Sequence, residues 1–120
     1  MDTTTRERGL LAWQWSLYRD GHRNHVNLVV HLLTVPLFLA GTCAIPAALA
    51  LGAWPLAAGG LAATALAVAL QGRTHRREAT PPAPFRSPFD VVARLFVEQW
   101  ITFPRYLVSG ELARAWRATR

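Results

Sequence analysis

Long apolar stretches alternate with short polar ones along this chain, and the pattern predicts helices. No charged side chain occurs from Leu32 to Leu70, whereas about 20 apolar residues are enough for a helix to cross the ~30 Å hydrocarbon layer of a membrane. The stretch is long enough for two crossings, and residues 52–55 contain turn-forming glycine and proline. We predict an integral-membrane helical hairpin with helices over 25–51 and 56–78.

The flanking segments predict shorter helices along the membrane interface. Leucine and aromatic residues recur at helical spacing in the N-terminal segment, and tryptophan favours the membrane interface. Ser87, Pro88 and Asp90 suit the N-cap, first turn and third position of another helix. The flanking helices are predicted over 6–19, 88–103 and 110–118. The whole chain, residues 1–120, is thus predicted as a single all-α membrane domain.

Charge supports this membrane interpretation. The chain has 13 basic side chains and a formal net charge of +6. Arginines flank the apolar block and are absent from its turn, as the positive-inside rule expects for a hairpin with both ends in the cytoplasm. No nucleic-acid recognition motif accompanies the charge, so we expect no nucleic-acid partner. The single cysteine, Cys43, excludes an intrachain disulfide framework, and no N-terminal signal peptide is visible.

The histidines cluster at the ends of the apolar block. His22, His25 and His31 lie where the polar N-terminal part becomes apolar, and His75 follows the second apolar stretch. Residue 53, midway between His31 and His75, falls in the predicted turn, so these two histidines would meet at one membrane face. Histidine is the commonest protein metal ligand and is costly inside a membrane, so their convergence predicts a functional site.

A break between the first two helices brings a third histidine into the same region. On one unbroken helix, His22 and His31 would face opposite sides. Gly21 is predicted to end the first helix, and Asn24 is predicted to cap the next. With that turn in place, both histidines can face inward.

The candidate residues fit a mononuclear metal site. His22, His31 and His75, with Glu78 as the carboxylate, supply the ligand types of non-haem iron and leave positions open for O2 and substrate. The same ligands would hold zinc with an open position. The side chains predicted to orient these ligands from behind are Tyr18, Asn27, Gln71 and Glu98.

Three further residues have simpler roles. Arg73 and Arg76 are predicted to determine topology and contact lipid headgroups, and a substrate carboxylate would find either arginine a good partner. His25 is predicted to face solvent or lipid headgroups.

Two other functions remain open from the residues. The protein would be a non-enzymatic membrane protein if its histidines only hydrogen-bond between helices, or a zinc-dependent lipid hydrolase if the site holds zinc.

Other site types fit poorly. Four histidines are too few for a di-iron membrane hydroxylase, and the chain has no glycine-rich phosphate loop or convincing nucleophile arrangement.

The motif over residues 18–36 resembles one in a known family. It reads Tyr18-x3-His22-x4-Asn27-x3-His31-x4-Pro36, and Gln71-x3-His75 with a nearby acid follows two apolar helices later. The arrangement is similar to the membrane 2-hydroxy fatty acid dioxygenases of the fungal endoplasmic reticulum and their small bacterial relatives.

This resemblance implies an activity and a location. It implies Fe(II)-dependent α-oxidation, in which a 2-hydroxy acyl chain reacts with O2 and loses one carbon, and it implies that His22, His31 and His75 are the catalytic ligands. The expected partners are the bilayer, a fatty acyl substrate and O2, with homo-oligomerisation left open. The expected location is the bacterial inner membrane with both termini cytoplasmic.

Overall fold

The computed structural model describes residues 6, 7 and 9–118, and every regular element in that part of the chain is helical. The helices are α1 (Leu10–Tyr18), α2 (His25–Ala50), α3 (Trp54–Thr74), α4 (Pro88–Val97), α5 (Phe103–Val108) and α6 (Glu111–Ala118). A 3-10 turn, His75–Arg77, follows α3, and a π-helical turn, Glu98–Thr102, joins α4 to α5. The all-α class is confirmed; residues 1–5, 8, 119 and 120 of the predicted domain lie outside the described part.

α2 ends in a Schellman motif, which forms the turn to α3. Gly52 has φ +67, in the left-handed region that residues with side chains rarely adopt. Its N–H donates to Leu49 O at 3.2 Å, and the Ala53 N–H donates to Ala48 O at 2.8 Å. These bonds satisfy carbonyls that the end of the helix would leave unpaired, and they reverse the chain within the predicted turn.

α2 and α3 approach closely where a glycine of each helix faces the other. A Cβ atom added at Gly60 would lie 2.8 Å from Gly41 O, and one added at Gly41 would lie 2.7 Å from Gly60 O. A Cβ atom cannot come so close to a backbone oxygen, so the helices would have to separate to accept a side chain. Small residues allow such close contact between membrane helices.

Both long helices are apolar enough to cross a membrane. The most apolar windows of α2 and of the α3 segment have mean hydropathies of 2.1 and 1.4, yet only 33% and 22% of those windows is buried. The core helix of a soluble protein would be mostly covered by other elements. Large side chains that remain exposed on the pair include Leu33, Leu51, Trp54, Leu56, Leu61 and Leu66.

The shorter helices pack around the N-terminal part of α2. The main buried cluster combines side chains from α1, α2, α5 and α6, namely Tyr18, Leu28, Val35, Phe103, Tyr106, Leu112 and Ala115. Asn24 caps α2 by accepting from the N–H groups of Val26 and Asn27, as predicted. The core is thus concentrated at the end of the hairpin that carries the histidines.

Two predicted boundaries differ from the structure. Gly9, with φ +115, separates the helical residues Arg6 and Glu7 from α1, so the predicted helix over 6–19 is interrupted. The helix predicted over 56–78 begins earlier, at Trp54. It narrows to 3-10 geometry after residue 74 and ends at residue 77.

The helix predicted over 88–103 begins as expected. Ser87 caps α4 by accepting from the Asp90 N–H at 3.1 Å. Pro104 does not end the helical segment. After α4 the backbone widens into the π turn, where the Phe103 N–H donates to Glu98 O five residues earlier. Helical structure therefore continues through α5, since this wider turn accommodates a residue that cannot donate a backbone hydrogen bond.

The glycine contact between α2 and α3 can be tested with neighbouring positions. We expect Gly60→Ala to destabilise the protein by about 1–3 kcal/mol, because the new methyl group forces the helices apart. Gly59→Ala is the matched control: it lies in the same helix with open space around it, so it should gain up to about 1 kcal/mol of helix propensity. Denaturation of both variants in detergent, followed by circular dichroism, measures the difference. Equal stability of the two variants would contradict the close contact.

Candidate metal centre

The rings of His22, His31 and His75 lie next to one another although they come from three separate segments. His22 follows α1 in a turn, His31 lies in the second turn of α2, and His75 begins the 3-10 turn. The centroid of the His22 ring is 4.8 Å from each of the other two centroids, and the His31 and His75 centroids are 5.0 Å apart. The hairpin and the turn after α1 therefore bring together the three predicted histidines.

A carboxylate joins these rings, and it belongs to Glu98. One ligand-type atom from each of the three histidines and Glu98 lies within 4.8 Å of the others. Glu98 Oε2 is 3.3 Å from His22 Nε2 and 3.7 Å from His31 Nε2. The sequence predicts Glu98 only as a residue that orients ligands. The structure instead makes it the fourth candidate ligand.

The prediction that Glu78 is a ligand is corrected by the structure. That prediction assumes a helix continuing through residue 78, but the 3-10 turn ends at residue 77 and Glu78 has an extended backbone. Its carboxylate accepts hydrogen bonds from Arg23 N, Asn24 N and Asn27 Nδ2 at 2.8–3.0 Å. Glu78 therefore stabilises the N-terminus of α2, where a negative charge is favourable.

Two backbone carbonyls orient two of the imidazoles. Tyr18 O lies 2.9 Å from His22 Nδ1, and Asn27 O lies 2.8 Å from His31 Nδ1. Because a carbonyl oxygen can only accept, each Nδ1 carries the proton and each Nε2 keeps a free lone pair. The partner of an imidazole thus determines which nitrogen is available to a metal.

The free ring nitrogens fit a bound cation. His22 Nε2, His31 Nε2 and His75 Nδ1 are buried without a hydrogen-bond partner. Such atoms are rare in folded proteins, and each costs about 1–3 kcal/mol. Imidazole nitrogens with a carboxylate oxygen are ligands that suit Fe(II) or zinc. The donor set and its unpaired atoms therefore fit a divalent metal ion.

The electrostatic environment favours the protonation states that metal binding needs. Burial lowers the pKa of His22 below its ordinary value, although the neighbouring Glu98 opposes the shift. For Glu98, burial acts to raise the pKa of the carboxyl, but its close contacts with the imidazoles of His22 and His31 outweigh burial and hold that pKa well below its usual range. A neutral imidazole and an ionised carboxylate are the forms that bind metals.

The residues predicted to support the ligands have three different roles. Tyr18 stacks on His22, with ring centroids 3.7 Å apart and planes inclined by 13°. Asn27 acts on His31 through its backbone carbonyl, while its side-chain oxygen accepts from Thr74 Oγ1 at 2.7 Å.

Gln71 lies beside the cluster but is committed elsewhere. Its Nε2 donates to Thr34 Oγ1 and to Gln99 Oε1, each at 2.9 Å, and its Oε1 accepts from Gln99 Nε2 at 2.8 Å. These bonds tie α2, α3 and the π turn together. Gln71 therefore supports the position of the segment carrying Glu98 rather than an imidazole.

The sequence predicts that His25 faces solvent or lipid headgroups, but in the structure its side chain is partly buried. Its ring stacks on Trp116 with centroids 4.0 Å apart, and its Nε2 lies 2.8 Å from Trp116 O. It is outside the ligand cluster. His25 thus connects the start of α2 to α6, and its role is structural packing.

A cavity of about 560 Å³ borders the ligand cluster. Its apolar wall comes from α1, α3, α4 and the segment before α4, and includes Trp13, Leu17, Val68, Phe85, Val91 and Leu95. Its polar lining includes Tyr18, His22, Gln71, His75 and Glu98. Pro81, Pro82 and Pro84 lie along the same cavity. Three of the four candidate ligands, His22, His75 and Glu98, thus face a space bounded mainly by apolar side chains.

Arg94 is a lining residue that was not predicted from the sequence. It donates from Nη1 to Pro84 O at 3.0 Å and from Nη2 to Ala83 O at 2.9 Å, and it lies one helical turn before Glu98. Arg73 and Arg76, the predicted headgroup partners, are exposed and do not line this cavity. The four-residue spacing of Arg94 and Glu98 is the one sequence signal that could have identified a shared face.

Comparison of the chain with protein-family models, with curated proteins and with solved structures found no match. Function must therefore be inferred from the ligand cluster, from the adjoining cavity and from the motif over residues 18–36.

The ligand set can be tested by metal content. We expect protein loaded anaerobically with Fe(II) to retain about one metal per chain, and His31→Ala to abolish retention because a central imidazole is lost. Glu98→Gln should weaken metal binding by more than the ~10- to 100-fold typical for loss of an outer hydrogen-bond partner. Mass spectrometry of the metal in detergent-purified protein measures both effects.

Glu78→Gln provides the matched carboxylate control. It removes the negative charge at the N-terminus of α2 and should reduce stability by about 1 kcal/mol while leaving metal content intact. Loss of metal from Glu78→Gln with retention in Glu98→Gln would reverse the assignment of the carboxylate ligand.

Proposed function

We propose that this protein is an Fe(II)-dependent dioxygenase that acts on 2-hydroxy fatty acids at a membrane surface and shortens the acyl chain by one carbon. The observation that carries the proposal is the cluster of three histidines and Glu98, of which His22, His75 and Glu98 line a mainly apolar cavity. Iron, when bound, would supply the electrons that activate O2. Four protein ligands leave open positions on an octahedral ion for the other reactants.

The two apolar helices support a placement in the membrane. In the proposed arrangement α2 and α3 cross the bilayer, and the arginine-rich ends of the hairpin lie on the cytoplasmic side. His75 immediately follows the last residue of α3, so the ligand cluster lies at the edge of the hydrocarbon layer. The polar lining of the cavity would then bind the headgroup of a lipid-derived acid, and its apolar wall would bind the tail.

The cavity has suitable dimensions and chemistry for such a substrate. Its volume of about 560 Å³ falls within the ~300–1,000 Å³ of small-molecule sites. Leu17, Val68 and Leu95 offer apolar contacts for an acyl chain. Arg94 lines the cavity one helical turn before Glu98, and its guanidinium is held by Pro84 O, Ala83 O and Asp90. The N–H groups that these contacts leave over are the proposed partners of a substrate carboxylate.

Oxygen consumption tests the activity directly. We expect iron-loaded protein to consume one O2 for each 2-hydroxypalmitate and to release a fatty acid one carbon shorter, with the lost carboxyl carbon leaving as CO2 together with one water. His31→Ala should be inactive. Cys43→Ser serves as the positive control because Cys43 is exposed and is not one of the candidate ligands. An oxygen electrode and chain-length analysis by mass spectrometry provide the measurements.

The alternatives give different results in this experiment. Ester cleavage with zinc but not iron would favour a zinc-dependent lipid hydrolase, since the same donors bind zinc. Absence of bound metal and of turnover at every chain length would favour a non-enzymatic membrane protein.

Arg94 and Arg73 provide a test of headgroup recognition. We expect Arg94→Gln to raise KM for the acid about tenfold or more, because a charged hydrogen bond contributes about 1.5–3 kcal/mol. Arg73→Gln, at an exposed position, should leave KM nearly unchanged. Inhibition by the neutral amide of 2-hydroxypalmitate is the internal control for cavity shape, and its inhibition constant should not change in Arg94→Gln. Equal loss of acid and amide binding would show that Arg94 only holds the cavity wall.

A further inference from the structure

The hydroxyl group of Tyr18 is buried without a hydrogen-bond partner. The residue is 4% exposed, and its ring is held between two others. One is His22, stacked at 3.7 Å, and the other is Tyr106, which meets it edge-on at 5.1 Å. The hydroxyl therefore cannot turn freely toward solvent, and its lack of a partner needs an explanation.

A bound metal ion explains the unpaired histidine nitrogens but not this hydroxyl. Three of the other buried atoms without a partner are the ring nitrogens of His22, His31 and His75, which a cation would satisfy together with Glu98. Tyr18 also lines the cavity that borders the cluster. Its hydroxyl thus remains as a hydrogen-bond donor in the same polar region after the metal ligands have been counted.

Neighbouring polar side chains are already engaged. Gln99 donates to Gln71 Oε1 at 2.8 Å and to Glu98 Oε1 at 3.3 Å. Glu98 Oε2 faces His22 and His31. Glu98 lies close enough to act on the Tyr18 hydroxyl, but no atom of the described residues accepts a hydrogen bond from that hydroxyl, so it can still donate to another group.

We propose that the Tyr18 hydroxyl donates a hydrogen bond to the non-protein ligand that occupies the open position of the metal centre. The inference rests on the proposed metal centre and identifies Tyr18 as a residue that contacts the reacting group. A hydroxyl donor fixed in an apolar cavity stabilises an anionic ligand without reorganisation of water. The expected ligand class is an anion or a polar oxygen group small enough to reach the metal.

Tyr106 is the matched control. It is also a buried tyrosine in contact with Tyr18, but its hydroxyl already donates to His22 O at 2.8 Å. It does not line the cavity that borders the metal ligands. Loss of the Tyr106 hydroxyl should affect stability, whereas loss of the Tyr18 hydroxyl should affect the bound ligand.

Azide binding to cobalt-loaded protein tests the proposal without requiring turnover. Full-length protein carrying Cys43→Ser, which removes the exposed thiol, is loaded with Co(II) in detergent, and its visible spectrum is titrated with azide. We expect Tyr18→Phe to keep one cobalt per chain and to bind azide about tenfold more weakly, as loss of one hydrogen bond to a charged group implies. Tyr106→Phe should bind azide within about twofold of the parent.

The outcomes separate this inference from the metal centre itself. Parent protein that binds no cobalt would remove the metal centre and the inference together. Normal cobalt binding with equal azide affinity in parent and Tyr18→Phe would overturn only the role of Tyr18. Loss of cobalt from Tyr18→Phe alone would also overturn it, because the hydroxyl would then act on the metal ligands.

A second measurement avoids dependence on the folding of Tyr18→Phe. The chain has only two tyrosines, so 3-fluorotyrosine gives two fluorine signals that Tyr106→Phe can assign. In zinc-loaded protein, azide should shift the Tyr18 signal and leave that of Tyr106 in place. An unmoved Tyr18 signal at saturating azide would overturn the proposal.

Discussion

One ring nitrogen from each of His22, His31 and His75 is buried beside the others without a hydrogen-bond partner. Because an unpaired buried polar atom costs about 1–3 kcal/mol, three such nitrogens side by side favour a shared partner such as a metal ion. The surrounding contacts position each ring separately. Tyr18 O orients His22, Asn27 O orients His31, and the end of α3 places His75.

The length of the hairpin is the one that a membrane crossing would need. His31 and His75 each lie about 20 residues from the turn at Gly52, which corresponds to about 30 Å of helix on either side. That length matches the hydrocarbon layer. The Gly41–Gly60 contact keeps the two helices close between these points. The same dimensions that suit a bilayer crossing therefore also bring the two imidazoles to one level.

Local sequence signals predict much of this architecture. Gly52 ends α2, Asn24 caps it and Ser87 caps α4, because each of these residues has a backbone or side-chain property that its position requires. The convergence of His31 with His75 follows from the position of the turn midway between them. These features depend on residues close in sequence or on simple symmetry, which a single sequence can reveal.

Other features depend on contacts between distant segments, and the sequence alone does not predict them. Glu78 is near His75 in the chain, yet it turns to the N-terminus of α2 because the helix ends at residue 77. His25 stacks on Trp116, which lies 91 positions later.

Among these features the π turn has the largest consequence for the candidate site. Glu98 and Gln99 are consecutive residues, and in a regular α-helix consecutive side chains do not share a face. In the π turn both make inward contacts: Glu98 faces the histidines, and Gln99 pairs with Gln71. Pro104 interrupts the backbone hydrogen bonds just beyond, so a wider turn is tolerated there. Pro104 thus lies directly after the π turn, and this turn brings the Glu98 carboxylate to the three histidines.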